Sequence, residues 1–170
     1  MAADEKALLA LLNSTPVIAG TPTDELADEQ STRVWLRTHH IPAHPEDAKI
    51  LREGRDLLQS VTRGDLPPSA LSPLLAGVVS RPEITPHGLT WTVDLHGARA
   101  VLVDAVIAWD DLHRNRPGRL RPCANDECAL FLIDRSKSNS ARWCSMATCG
   151  NKLKARRHYR RSRSADDAEV

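Results

Sequence analysis

The sequence predicts an α+β fold: a mainly α-helical N-terminal domain with a small β element, then a small cysteine-containing module that ends in a basic helix. Apolar residues recur at helical spacing through most of residues 1–113 and alternate only between residues 84 and 95. All four cysteines lie between residues 123 and 149. A chain of 170 residues can bury one ordinary core and append a module too short to have a core of its own.

Three helices are predicted before the alternating stretch. Residues 24–40 form an amphipathic segment, and residues 45–64 give the clearest helix, with Gly64 just beyond its end. Residues 68–80 favour a shorter helix, which Pro73 weakens. The N-terminal domain is therefore expected to be mostly helical.

A change of period marks the β element. After a turn at residues 86–88, apolar and polar side chains alternate up to Leu95, which predicts a half-buried strand or a hairpin. Residues 97–115 then return to helical spacing. One face of this last helix carries Val101, Leu102, Ala105, Trp109 and Leu112.

Charge divides the chain into two regions. Residues 1–113 contain 9 basic and 16 acidic residues, a net charge of −7, whereas residues 114–164 contain 14 basic and 3 acidic residues, a net charge of +11. Like charge this concentrated favours a polyanionic partner, although a solvated basic tail is the plainer alternative. With the Pro- and Gly-containing boundary near residue 117, the predicted units are residues 1–116, residues 117–164 and a disordered acidic tail at residues 165–170.

The sequence contains no segment that suggests export or membrane insertion. Its only early apolar run is residues 7–12, and no stretch approaches the roughly 18 apolar residues of a membrane span. We expect a cytoplasmic protein without membrane contact, in which structural disulfides are disfavoured.

Cys123, Cys128, Cys144 and Cys149 form two pairs with four residues inside each pair and fifteen between the pairs. This spacing predicts one Zn²⁺ ion held by four thiolates in a tetrahedral site. We expect the module to be a small treble-clef-like zinc finger. Residues 130–133 are expected to form one short strand and residues 141–144 a second that brings Trp143 beside the metal. Metal binding would supply the stability that so few apolar residues cannot.

Other uses of the thiols are less consistent with the sequence. A redox dithiol usually has two residues between its cysteines, and two disulfides conflict with the expected compartment. Iron–sulfur ligation also uses four thiolates, and the sequence leaves it open.

Residues 120–161 resemble the zinc finger of the CGNR family, bacterial proteins described as transcription regulators. The resemblance rests on the two cysteine pairs, "FLIDRS", "RWCSM" and "CGN" at residues 149–151, followed by a basic segment. The family signature ends in arginine, whereas this chain has Lys152, which keeps the charge but loses the two-pronged contact of a guanidinium. Residues 1–113 resemble, more loosely, the ABATE domain usual in that family. The resemblance implies a stress-induced DNA-binding regulator.

The segment after Asn151 is rich in helix formers and lacks Gly and Pro, so it should be helical. Its basic residues would form two outward stripes, with Ala155 and Tyr159 docked on the zinc module. Such a helix suits a DNA major groove or the phosphates beside it. The predicted DNA contacts are Arg142, Lys152, Lys154, Arg156, Arg157, Arg160, Arg161 and Arg163.

The function favoured by these features is a zinc-dependent regulator that binds duplex DNA, with an N-terminal domain that senses an effector or dimerises. The alternative is a zinc-stabilised module that docks on RNA or on an acidic protein through the same charge. An enzyme is disfavoured, because no nucleophile–base arrangement and no Gly-rich phosphate loop is legible.

Overall fold

Helices and short hairpins alternate along the chain in a computed structural model that describes residues 4–156. The elements are α1 (Glu5–Leu12), β1 (Val17–Ile18), β2 (Thr21–Pro22), α2 (Glu29–His39), α3 (Ala48–Arg63), β3 (Ser80–Thr85), β4 (Gly88–Val93), α4 (Gly97–Asn115), β5 (Leu120–Pro122) and β6 (Phe131–Ile133). Single 3-10 helices cover Pro45–Asp47 and Pro68–Leu75, and a π-helical turn covers Met146–Gly150. Residues 151–156 are α-helical. The predicted acidic tail at residues 165–170 lies outside the described residues.

Capping residues in the sequence mark the start of α2 and the end of α3. α2 begins after Asp28, whose carboxylate accepts a hydrogen bond from the Ser31 amide while the Ser31 hydroxyl accepts one from the Asp28 amide. α3 ends at Arg63 and is capped by Gly64, where φ is 86°, a value that glycine adopts without strain. Residues 68–80, predicted as a short helix, contain the 3-10 helix, and Pro73 lies inside it.

The helical core forms where α1, α3 and α4 meet. The short apolar run at residues 7–12 proves to be α1, in which Leu8, Leu11 and Leu12 are fully buried. α3 approaches α4 closely at Gly54, where an added Cβ would lie 2.3 Å from Leu102 Cδ2. The five apolar residues predicted for one face of α4 are all buried.

The predicted half-buried strand is wrong in its burial. β3 and β4 form an antiparallel hairpin in which Ile84 pairs with Leu89 and Pro82 with Trp91. Ile84 is 78% exposed, Leu89 60% and Trp91 54%. The alternation was real, but in the described part of the chain no other element covers the apolar face of this hairpin.

The sheet of the cysteine module also differs from the prediction. β6, expected at residues 130–133, pairs with β5 rather than with residues 141–144, which form no strand. Phe131 in β6 is 1% exposed and belongs to the same apolar core as α1, α3 and α4. The side-chain amide of Asn13 donates to the Phe131 carbonyl and its oxygen accepts from the Phe131 amide, at 3.2 and 2.7 Å. The strand is thereby joined to the helical core.

Within residues 4–156, no helix combines the length and the apolar character needed to cross a membrane.

Candidate metal centre

All four cysteine side chains converge on one point. Cys123 directly follows β5, Cys128 lies three residues before β6, and Cys149 sits in the π-helical turn. Their Sγ atoms and that of Cys144 all lie within 4.8 Å of one another. Cys123 and Cys149 are buried, and the other two are partly exposed. The structure thus brings together every cysteine predicted as a metal ligand.

Sulfur separations fit a single tetrahedral zinc ion. Cys144 Sγ lies 3.7 Å from Cys128 Sγ and 3.7 Å from Cys149 Sγ. Four thiolates at about 2.3 Å from zinc would be separated by about 3.8 Å, the edge of the tetrahedron. A disulfide requires about 2.05 Å, so these thiols are not bonded to each other. An iron–sulfur cluster inserts several irons and sulfides between its thiolates and needs wider spacing.

N–H groups around the centre are directed at the sulfurs. The buried Asn125 side chain donates to Cys149 Sγ at 3.3 Å, and the Cys144 amide donates to Cys123 Sγ at 3.4 Å. Neutral thiols accept hydrogen bonds weakly, whereas thiolates accept them well. The donors therefore match a metal-bound set of thiolates. The sequence pattern does not single out Asn125, because its contact with Cys149 spans 24 residues.

Burial makes the ionisation of Cys128 and Cys144 unfavourable without a cation. Burial is the main cause that raises the pKa of Cys128 to about 11, and it also raises the pKa of Cys144. Burial acts in the same direction on Cys149, but the Asn125 hydrogen bond and the neighbouring thiols outweigh it and lower its pKa. A divalent ion supplies the positive charge that lets four thiolates coexist, so binding should release protons.

Asp134 fixes the loop that leads from β6 to the second cysteine pair. Its carboxylate accepts hydrogen bonds from the Ser136 amide at 2.8 Å, the Ala141 amide at 2.7 Å and Arg121 Nη2 at 2.6 Å. The Ser136 side chain, together with these amides and the charge of Arg121, lowers the pKa of Asp134 to about 2, so the carboxylate stays ionised. The "IDRS" segment thus folds residues 134–141 back towards the metal centre.

Gly150 permits close packing behind the fourth ligand. An added Cβ would lie 2.8 Å from Met146 Sδ and 3.2 Å from Trp143 Cδ1. Its φ is not positive, so close approach rather than an unusual backbone conformation calls for glycine here.

Two predicted DNA contacts are held by a carboxylate beside the metal centre. Lys152 Nζ lies 2.6 Å from Glu127 Oε2, and Arg156 Nη2 forms an ion pair with Glu127 Oε1. Hydrogen bonds from Lys152 and Arg156 lower the pKa of Glu127 to about 2. These ion pairs tie the segment after Cys149 to the loop between Cys123 and Cys128.

The remaining predicted contacts divide between exposed residues and residues outside the description. Lys154 and Arg142 are exposed, and the Arg142 guanidinium stacks on the Trp143 ring at 5.3 Å. Ala155, expected to dock on the module, is exposed, while Leu153 is partly buried. Four predicted contacts lie outside the described residues: Arg157, Arg160, Arg161 and Arg163.

Residues 119–162 match the family model of the CGNR zinc finger. The match covers about a quarter of the chain and includes all four cysteines. A search of curated proteins found no match. Together with the sulfur geometry, the match identifies a zinc-binding CGNR finger at the C-terminal end of the described residues. It does not extend to the helical domain, so the ABATE resemblance stays a prediction.

Proposed function

We propose that this protein is a zinc-dependent transcription regulator that binds duplex DNA through the basic segment following the metal centre. One observation carries the proposal: the fourth ligand, Cys149, lies in the helical turn that leads directly into residues 151–156. A metal ion bound to Cys149 fixes the base of that segment relative to the rest of the finger. Basic side chains on it are then presented in a defined direction.

Charge and exposure support a polyanionic partner. Residues 114–164 carry a net charge of +11. Arg142, which precedes Cys149 in the sequence, and Lys154, which follows it, are both exposed. Arginine in particular makes bidentate contacts with phosphates and guanine edges. The Glu127 ion pairs lower the net charge beside Lys152 and Arg156 but leave both residues exposed.

The helical domain would provide regulation in this proposal. It carries the acidic part of the chain and is unsuited to contact phosphates, because residues 1–113 have a net charge of −7. We infer that it senses an effector or mediates self-association, and that catalysis is not its role.

Fluorescence polarisation with labelled duplex DNA tests the proposal. Zinc-loaded protein should bind, and a chelator should abolish binding. If about six basic side chains neutralise phosphates, the affinity should fall with salt at a log–log slope of roughly −5. Lys154→Ala and Arg156→Ala should each weaken binding and reduce the slope by about 1. Lys49→Ala, which removes one exposed charge from α3, is the matched control and should change neither.

The alternative function predicts a different pattern. A zinc-stabilised module for RNA or an acidic protein would bind single-stranded RNA or polyglutamate at least as tightly as duplex DNA. It would also show no preference among duplex sequences in a selection experiment. Either result would replace the DNA-binding proposal with this one.

A further inference from the structure

The hairpin formed by β3 and β4, residues 80–93, has one apolar and one polar face, and we call it the arm. Directly opposed residues of an antiparallel pair lie on the same face, and successive residues alternate between faces. Ile84 opposes Leu89 and Pro82 opposes Trp91, so these four lie together. The opposite face carries Arg81, Glu83, Thr90 and Thr92.

The apolar face of the arm is open to solvent. Ile84, Leu89 and Trp91 are between 54% and 78% exposed, and Pro82 is exposed as well. Among residues 4–156, no other element packs over this face. A lone two-stranded hairpin is marginal in water and normally needs a further strand or a packed surface against its apolar side. Within these residues the arm therefore lacks the contact that would stabilise it.

We propose that the apolar face of the arm packs against the same face of a second copy of this chain, forming a two-fold symmetric dimer. The surface is complementary to itself because it carries no charged side chain, so a two-fold contact brings no like charges together. Arg81 and Glu83 lie on the opposite face and remain in solvent.

The size of the face is consistent with a dimer. At the observed exposures, its large side chains present on the order of 400 Å² of apolar surface, as much as the largest patch on a typical monomer. Two such faces together remove about 800 Å², which is the apolar share of a specific interface of about 1,200 Å². The contact would be at the small end of stable interfaces, so the dimer should dissociate on dilution.

Pairing through strand edges explains the exposed face less well. Edge pairing would join the backbones of two copies but leave Ile84 and Trp91 in water. Pro82 also removes one N–H donor from β3, which weakens that strand as an edge. Face-to-face packing removes the apolar side chains from water, and for that reason it is the arrangement proposed. It does not depend on DNA binding.

Sedimentation equilibrium of the zinc-loaded full chain over a wide range of concentrations tests the proposal. Wild-type protein should show a reversible monomer–dimer equilibrium. Replacing both anchors, Leu89→Thr with Trp91→Thr, should raise the dissociation constant about a hundredfold. Threonine keeps the strand propensity, so the hairpin is preserved. The matched control, Arg81→Thr with Glu83→Thr, changes two residues on the polar face and should leave the constant unchanged.

Hydrogen exchange of the wild-type chain gives a second measurement that needs no variant. Amides of residues 80–93 should exchange more slowly as the concentration rises, while those of α3 should not change. Wild-type protein that stays monomeric at every concentration would overturn the proposal, even if it captured another molecule through the arm. So would a dimer that the anchor variant leaves intact.

Discussion

Asn125 shows how one buried side chain supports the metal centre without binding the metal. Its amide donates to Cys149 Sγ and its backbone carbonyl accepts from the Cys128 amide at 2.8 Å, so it connects the two cysteine pairs. Residues in this position orient the ligands and stabilise negative charge on sulfur.

Replacing this side chain should weaken zinc binding while leaving the four ligands in place. We expect Asn125→Ala to lower zinc affinity by about 10- to 100-fold, as measured by competition with a chromophoric chelator. Asp126→Ala is the matched control, because Asp126 is exposed and contacts no sulfur in the structure. Equal affinities for the two variants would show that the contact with Cys149 has no energetic role.

A second residue-scale prediction concerns the ion pair inside the helical domain. Arg55, 3% exposed, binds Asp24 through two hydrogen bonds of 2.6 and 3.0 Å. Partial burial acts to raise the pKa of Asp24, but the Arg55 guanidinium and the Leu26 amide outweigh it and hold the pKa below its ordinary value. The folded state therefore gains stability from ionised Asp24 above about pH 4. This stability is lost as the pH falls below about 4 and through the lowered pKa of Asp24 in the folded state.

Asp24→Asn should lower the free energy of unfolding by about 3 kcal/mol at neutral pH, since it leaves a buried guanidinium with a weaker partner. The difference between variant and wild type should shrink below about pH 4. Urea denaturation at matched pH values measures both effects. Asp56→Asn is the control, because Asp56 contacts the same arginine but is 64% exposed and should cost less than about 1 kcal/mol.

At the scale of elements, the helical segment after Cys149 is held by the loop between the first two cysteines. Glu127 pairs with Lys152 and Arg156, the first and last basic residues of the described part of that segment. The sequence could not reveal these pairs, because they join residues 25 and 29 positions apart. A DNA phosphate approaching either cation would have to compete with the Glu127 carboxylate.

We therefore expect Glu127→Gln to tighten binding to duplex DNA and to steepen its salt dependence by about 1 to 2 in log–log slope. The measurement is a salt titration by fluorescence polarisation. Asp126→Asn is the control, since it removes one neighbouring charge but no ion pair found in residues 4–156. Unchanged slopes for Glu127→Gln would mean that Lys152 and Arg156 do not contact phosphates.

Strand pairing is the element-scale feature that sequence reasoning predicted least well. Residues 130–133 were correctly expected to form a strand, because they are apolar and bounded by turn residues. The second strand of the module was expected at residues 141–144, but β6 pairs with β5 instead, since local pattern identifies a strand but not the strand beside it. β5 precedes Cys123, so the pairing also sets the position of the first ligand.

At the scale of the whole molecule, the finger and the helices share one apolar core. Phe131 lies in that core, the Arg63 guanidinium stacks on its ring at 4.7 Å, and Asn13 bonds to its backbone. Metal binding should therefore stabilise the helical domain as well as the finger.

We expect a chelator to lower the Tm of the helical domain by about 10 °C or more, measured by far-UV circular dichroism. Asn13→Ala should reduce this shift, because it removes both hydrogen bonds to Phe131. Asn115→Ala, an exposed change on α4, should leave the shift intact. If the chelator leaves the unfolding transition of the helices in wild-type protein unchanged, this coupling is contradicted.

The sequence by itself determined the metal ligands, the main helices and the division of charge, because each follows from residue types and their spacing along the chain. Tertiary structure decided which strand pairs with β6, that Phe131 enters the helical core, that Glu127 holds two cations and that no element within residues 4–156 covers the arm. These depend on contacts between distant residues, where burial and charge are set by what the folded chain places opposite each side chain.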